Sequence, residues 1–322
     1  MTALHIEYGL CALGPQSAWQ RGSALAMGFF DGVHVGHQQV IAAAVDFAAQ
    51  NAVEAAVFTF SLPAGHGMKG GRITTDRQKH KVIEALGVQH FFEPPFASFC
   101  ELSPRQFVTQ VLHGLYNAKA VFCGENFTFG KKAAGNVALL KQLCGELGIQ
   151  VHIVPMALYG RQPVSSTRIR AALAAGELAD AAAMLGRPYR IVFPVRHGQG
   201  LGRTLGMPTI NQIYPAGFQL PKLGVYVSRV NIGGQWLPSV TGLGSRPTVN
   251  DDAANITCET FIPGFEGQVY GQQVLLEFCR YIEPSRKFES PAQLQKAVMG
   301  WAAAALRYFD AEKAPKAEKS LL

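Results

Sequence analysis

The sequence predicts an α/β protein of two unlike halves: a parallel sheet with helices on both faces, followed by a small β-barrel closed by one helix. Three observations predict it. Between Ala24 and about Gly186, short apolar runs alternate with segments of helical periodicity, as in strands joined by crossover helices. Over residues 190–282 this gives way to β-like runs separated by Gly/Pro turns, the texture of a small barrel. The length of 322 residues suits two domains at roughly 100–200 residues each.

In chain order, Ala24–Met27, Ala55–Phe60, Ala120–Cys123 and Val151–Pro155 are apolar runs short enough to be buried strands. Between them Gln38–Gln50, Arg77–Leu86, Pro104–Leu115 and Asn136–Leu147 each carry one apolar helical face. Arg168–Leu185 is Ala-rich and reads as one helix, ended by Gly186 and Pro188. Tyr189–Val195, Gly224–Val230 and Val274–Tyr281 read as strands of the second half, and Pro291–Phe309 as its closing helix. The boundary is expected at 186–189, which gives domains 1–186 and 187–322, the latter with a polar tail containing Lys313, Lys316 and Lys319.

Hydrophobic residues make up 48% and charged residues 16%, a globular composition. The net charge of +7 divides into +2 before Arg187 and +5 from Arg187 onward. An excess so diffuse suits small polyanions and lacks the clustered basic face that nucleic acid demands. The six cysteines are scattered, with no CxxC pair, which favours reduced thiols over a disulfide framework or a zinc site. The N-terminal residues show no basic stretch leading into an apolar one, and no run approaches the roughly 20 apolar residues of a membrane span. A soluble, cytoplasmic protein with no membrane or nucleic-acid partner is expected.

The stretch 28–37, GFFDGVHVGH, sits where a strand hands over to a helix. Gly28, Gly32 and Gly36 permit tight turning and close approach of a ligand to backbone. The helix that begins near Gly36 presents unpaired N–H groups, a ready anion site. His34 and His37, three residues apart, can face the same phosphate, and Gly28, Phe30, Asp31, Gly32 and Gly36 are the candidate nucleotide- and phosphate-binding residues of this stretch. A zinc site from Asp31, His34 and His37 would lack a suitable fourth ligand. Downstream, VSSTRIR (164–170) opens another helix: Ser165 or Ser166 can cap it, while Thr167 and Arg168 can reach phosphate oxygens.

In the second half, Gly198, Gly200, Gly202 and Gly206, with Arg203 among them, allow a loop whose amides face outward as a phosphate nest. No GK[ST] follows, so this is not a Walker loop. Thr209 and Asn211, two residues apart on an extended strand, point to one face, and hard oxygens of that kind suit Mg²⁺.

HxGH followed far downstream by SSTRIR resembles the HIGH-type nucleotidyltransferase superfamily. GFFDGVHVGH, CGENFTFGKKAAGN (123–136) and VSSTRIR resemble the adenylyltransferase module of the bacterial bifunctional riboflavin kinase/FAD synthetases. LGRTLGMPTINQ, LPKLGVYVSRV, SRPTV, CETFI and VYGQQV follow in the order of that family's kinase module. The resemblance implies a Rossmann-like nucleotidyltransferase domain and a six-stranded Greek-key barrel. It further implies riboflavin, FMN and ATP as substrates, FMN and FAD as products, and Mg²⁺ as cofactor. His34 and His37 would stabilise phosphate charge during in-line attack, with Ser166, Thr167 and Arg168 holding the triphosphate. Asn126 and Phe129 would line the flavin site. Thr209 and Asn211 would serve Mg²⁺ and ATP, and Glu259 would be the general base for the flavin 5′-hydroxyl.

Departures from the family pattern fall at Thr59–Pro63, which lacks the usual histidine (His66 is out of register), and at Gly242, Gly264 and Glu283 in the kinase half. They define a second reading, an FAD synthetase whose barrel is a weakened kinase acting mainly as a flavin-binding module. A flavin- or RNA-binding regulator is a third.

Overall fold

The structure is a computed structural model that describes residues 4–9, 21–62, 70–198, 201–246 and 255–313. Pro63, His66, Gly200, residues 247–250 and the tail beyond residue 313 therefore lie outside the described residues, as does the side chain of Arg203. By internal contacts the chain forms two compact units, Met1–Thr167 with Met184–Gly186, and Arg168–Ala183 with Arg187–Leu322.

The first unit runs β1 (His5–Glu7), β2 (Ser23–Met27), α1 (Val35–Asn51), β3 (Glu54–Phe58), α2 (Asp76–Ala85), β4 (His90–Phe92) and α3 (Pro104–Gln106). The last of these continues as a π-helical stretch, Phe107–Leu115. Then come β5 (Ala118–Gly124), α4 (Val137–Gly145), β6 (Gln150–Val154) and a small hairpin of β7 (Leu158–Tyr159) and β8 (Gln162–Pro163). Six strands pair in the order β1-β4-β3-β2-β5-β6, every pair parallel. Alternate residues of β2 and β3 serve opposite faces. Leu25, Met27, Ala56 and Phe58 pack with Phe107, Val111 and Leu140 on one side. Ala24, Ala26, Ala55 and Val57 pack with Ile41, Ala44 and Ile83 on the other. This two-sided burial explains why the strands read as continuous apolar runs. Of the run Ala55–Phe60, the strand ends at Phe58; the Thr59 amide makes the last ladder bond, to the Phe92 carbonyl, and the Thr59 hydroxyl donates to the Phe29 carbonyl.

The expected single helix 168–185 is two: α5 (Ser166–Ala175) and α6 (Leu178–Leu185). Gly176 adopts a left-handed φ of 82° between them. That conformation, with the Glu177 amide bonded back to the Ala172 carbonyl, is a glycine helix stop.

The second unit carries β9 (Tyr189–Arg196), the one-turn α7 (Leu201–Thr204), β10 (Thr209–Ile213), β11 (Gly224–Ile232), β12 (Gln235–Arg246), β13 (Asn255–Phe261), β14 (Gln273–Glu283) and α8 (Pro291–Lys313). The strands close a barrel in the order β10-β13-β12-β11-β14-β9. The antiparallel run β11–β12–β13 with β14 returning beside β11 is a Greek key. Val225, Val227, Val240 and Phe261 face α8 through Ala302, Ala305 and Phe309. Hydroxyls of Ser239, Ser228, Thr241 and Thr260 form a buried chain at 2.8 Å spacing. On β14, Glu277 is 1% exposed and accepts from Arg190 and Arg229, each at 2.6 Å.

No disulfide joins the described cysteines, and Cys123, Cys144 and Cys258 are buried. Burial pushes the Cys123 and Cys144 thiols up to about 12, which leaves them inert.

Removing one member of a buried ion group leaves the others uncompensated. Glu277→Ala should therefore destabilise the barrel by roughly 3 kcal/mol, measured as a lowered denaturation midpoint; an unchanged midpoint would contradict that role.

Candidate functional site

The sheet order itself selects a place for a ligand. From β2 the chain winds outward through β3 and β4, then crosses back to lay β5 on the other side of β2. Open parallel sheets bind ligands in the crevice beyond the carboxyl ends of the strands where the order reverses. Here those ends are Met27 and Gly124, and they lead into GFFDGVHVGH and into Glu125–Asn126.

The turn after β2 is strained and firmly held. Phe30 and Val33 adopt φ values of 55° and 41°, and Gly32 one of 80°. A left-handed β-branched residue is an outlier and persists only where its surroundings over-determine it. The holds are visible. The Asp31 carboxylate is buried and accepts from the Ile73 amide at 3.0 Å. Ser166 Oγ donates to the Asp31 carbonyl at 2.9 Å. Gln38 Nε2 donates to the carbonyls of Val33 at 2.8 Å and Leu185 at 2.9 Å. Gly32 is required twice over, by its φ and because a Cβ there would lie 3.2 Å from Ile73. At Gly28 a Cβ would press on the Phe30 ring at 3.0 Å. At Gly36 a Cβ would make ordinary contact with the His34 ring at 3.4 Å and with Ala157 at 3.6 Å.

His34 caps α1, its Nδ1 accepting from the His37 amide at 3.3 Å. A ring nitrogen that accepts carries no proton, so neutral His34 bears its proton on Nε2. The rings of His34 and His37 stack at 3.6 Å, and the Phe30 ring meets His37 edge-on at 5.2 Å. Burial foremost, then the charges of His34 and Lys79, push the His37 imidazole well below its ordinary range. The neutral His37 imidazole, stacked on the His34 cap, thus stands at a helix N-terminus, where anions are favoured.

The remaining expected residues of this half fall at known places. Ser165 precedes α5, which Ser166, Thr167 and Arg168 open. Ser166 also clamps the turn, so the cap segment and the histidine motif meet in one hydrogen bond. Asn126 is exposed in the turn after β5. Phe129 is buried against Phe107 and Phe127 and packs in the core. The Asp31 carboxylate accepts from the Ile73 amide, which ties the turn to the segment before α2.

In the barrel, a cavity of about 440 Å³ is lined by Gly198, Gly202, Thr209, Asn211, Phe265 and Glu266, among others. Thr209 and Asn211 both reach it from β10, and Asn211 is 7% exposed. Gly198 is needed there, since a Cβ would lie 2.5 Å from Asn211 Nδ2. The expected loop 198–206 contains the helical turn α7, closed by the Met207 amide on the Gly202 carbonyl at 2.7 Å, with Gly206 at φ 70°. Strand register places Arg196, Asn211, Glu259, Gly242, Val225 and Glu283 in one cross-strand row. Glu259 is exposed on it, beside Asn211 and Gly242. Glu283 ends the row, paired with Arg286 at 3.4 Å. Gly264 follows β13 at φ 73°.

Two features had escaped the sequence reading. His197 stacks on Tyr270 at 3.9 Å over the barrel cavity; its position next to Gly198 was the available signal. Lys79 and Glu93 form a buried ion pair at 2.8 Å, and nothing in a helix-period pattern announces that.

Comparison with known proteins follows the same division. Residues 16–168 match the family described as FAD synthetase, and residues 185–309 the family described as riboflavin kinase. The chain is 34% identical over 283 residues to the bifunctional riboflavin kinase/FMN adenylyltransferase of Listeria monocytogenes, covering 84% of this chain and 89% of that protein. It is 32% identical to that of Bacillus subtilis over 90% and 93% of the two chains. A solved structure titled as a macrolide-efflux protein from Streptococcus pneumoniae superimposes with a TM-score of 0.80 at 26% identity, covering 93% and 98% of the two chains. No helix among the described residues of this chain is long and apolar enough to cross a membrane.

In a titration followed by NMR, the His37 ring should change charge well below the ordinary imidazole range and be neutral at neutral pH. A midpoint at the ordinary value would contradict the burial described above.

Proposed function

The chain belongs to the bifunctional riboflavin kinase/FMN adenylyltransferase family, and from that premise we propose which of its residues carry each half of the reaction. It is a transferase that phosphorylates riboflavin to FMN with ATP, and adenylylates FMN to FAD with a second ATP and release of pyrophosphate.

Adenylyl transfer belongs to the first 186 residues. An FMN phosphate oxygen attacks the α-phosphorus of ATP, and the bond to the leaving pyrophosphate breaks in line. No covalent enzyme intermediate is needed, so catalysis is positioning and charge stabilisation. His34 and His37 donate ring N–H groups to phosphate oxygens at the start of α1. Thr167 and Arg168, with Ser165 and Ser166, hold the triphosphate from the start of α5, and Asn126 borders the flavin. The single observation that carries this reading is the strained, hydrogen-bonded turn that fixes the two stacked imidazoles at a helix N-terminus.

Phosphorylation belongs to residues 187–322. Glu259 accepts the proton of the riboflavin 5′-hydroxyl as its oxygen attacks the γ-phosphorus of ATP, and ADP departs; an alcohol is a poor nucleophile until its proton is taken. Gly198, Gly200, Gly202, Arg203 and Gly206 cradle the phosphates. The donor set of Thr209 Oγ1 and Asn211 Oδ1, hard oxygens on one strand facing one cavity, fits Mg²⁺, which when bound would neutralise phosphate charge. We place the protein in the cytoplasm, with small-molecule substrates only.

Incubation with riboflavin, ATP and Mg²⁺, followed by chromatography, should show FMN and then FAD. Use of added FMN but not riboflavin would mark the barrel, with its Gly242, Gly264 and Glu283, as a flavin-binding module. His37→Ala should lower FAD synthesis at least about tenfold while sparing FMN formation, and Glu259→Ala should do the reverse. Loss of both activities in either variant would point to a shared site and contradict the assignment.

A further inference from the structure

We propose that Lys79 is a positioning residue for adenylyl transfer: clamped by Glu93 beneath Phe29, it supplies the fixed positive charge behind His37. The inference rests on the reading of His34 and His37 as the phosphate contacts.

Lys79 and Glu93 are each 6% exposed, and their charged atoms meet at 2.8 Å. The ammonium lies 5.8 Å from the ring centre of Phe29 and 5.3 Å from that of Phe91, attractive placements for a cation. Phe29 is the second residue of GFFDGVHVGH, and its carbonyl accepts from Thr59 Oγ1 at 3.0 Å. Glu93 is itself anchored, its amide donating to the Glu7 carbonyl at 2.9 Å. Burial alone would raise the Glu93 carboxyl, but His80 and Lys79 hold it below the usual carboxylate range. Glu93 is therefore held as a carboxylate against the buried Lys79 ammonium.

Stability gives little reason for it. Each buried ion loses several kcal/mol of hydration, and an apolar pair of similar volume is often as stable or better. Lys79 also lies in the first turn of α2, after the Thr75 cap, where the helix dipole disfavours a cation. A charge retained against both effects points to use elsewhere.

The use is electrostatic. The charged and titratable groups around His37 are His34 on the same turn, Lys79 from α2, and Glu93 and His80 behind Lys79. Lys79 acts with burial and His34 to keep a proton off His37. Among the described residues no hydrogen-bond partner reaches His37 Nδ1. The site thus has a neutral His37 ring in front and the ion-paired Lys79 ammonium behind. That cation needs no reorganisation as negative charge moves onto the departing pyrophosphate, and its burial protects it from salt.

The test uses the full-length enzyme with both charges replaced together, as Lys79→Gln with Glu93→Gln, and as Lys79→Met with Glu93→Leu. Whichever pair retains riboflavin phosphorylation is read. FMN adenylylation should fall at least about tenfold in kcat, with KM for FMN changed less than about threefold. Without the cation His37 protonates more readily, so the acid limb of the adenylylation profile should move to higher pH. Lys79→Arg, which keeps the charge, should return most of the rate. An adenylylation rate within about twofold of the parent and an unmoved acid limb would overturn the inference. His37→Gln, run in parallel, separates the two ideas. If that variant turns over normally, the histidine reading fails; if only the Lys79 variants do, this inference alone fails. Loss of both activities in both charge-free pairs, with no rescue by Lys79→Arg, would show a role in folding and overturn it as well.

Discussion

Between Met27 and Val35 the backbone passes through left-handed φ at Phe30, Gly32 and Val33, and the first half of the molecule is organised around holding it there. β2 delivers the turn from the centre of the sheet, with both faces of the strand buried. Asp31, Gln38 and Ser166 each close a hydrogen bond on it from a different direction. The result is a helix that starts abruptly, with His34 as cap and His37 stacked on it. Strain of order 1–3 kcal/mol at Phe30 and at Val33 is stored at the proposed phosphate site, so the turn's geometry is set by the fold itself.

The barrel reaches comparable order by other means. Its strand register, rather than a strained turn, sets Asn211, Glu259 and Gly242 side by side. The alternation of β13 turns Glu259 outward between the buried Cys258 and Thr260. Closing the barrel leaves no open edge in the strand order, so a one-residue slip would move Glu259 inside and Cys258 out. In both halves a proposed reactive group is fixed by backbone geometry that side-chain packing enforces.

Much of this was legible in the sequence because it rests on local chemistry. Continuous apolar runs such as Ala24–Met27 marked buried parallel strands, and the Gly/His spacing of 28–37 marked a strand-to-helix turn. Thr209 and Asn211 could be placed on one face by counting alone. What escaped depends on tertiary contact. The break at Gly176 is set by the Ala172 carbonyl and a left-handed φ, and an Ala-rich stretch with one glycine looks continuous. The hydrogen bond from the Ile73 amide to the Asp31 carboxylate joins residues 42 apart, beyond any local pattern. Phe129 sits in a motif yet fills the core. The Lys79–Glu93 pair joins a helix to the end of a strand, and two charged residues 14 apart carry no pattern.

The central claim is that one chain holds two separate sites, each sufficient for its own step. Mixing His37→Ala protein with Glu259→Ala protein measures this directly. Neither variant alone should make FAD from riboflavin, but the mixture should, as FMN made by one is adenylylated by the other. A mixture that makes FMN yet no FAD, while the Glu259→Ala protein converts added FMN, would contradict that independence.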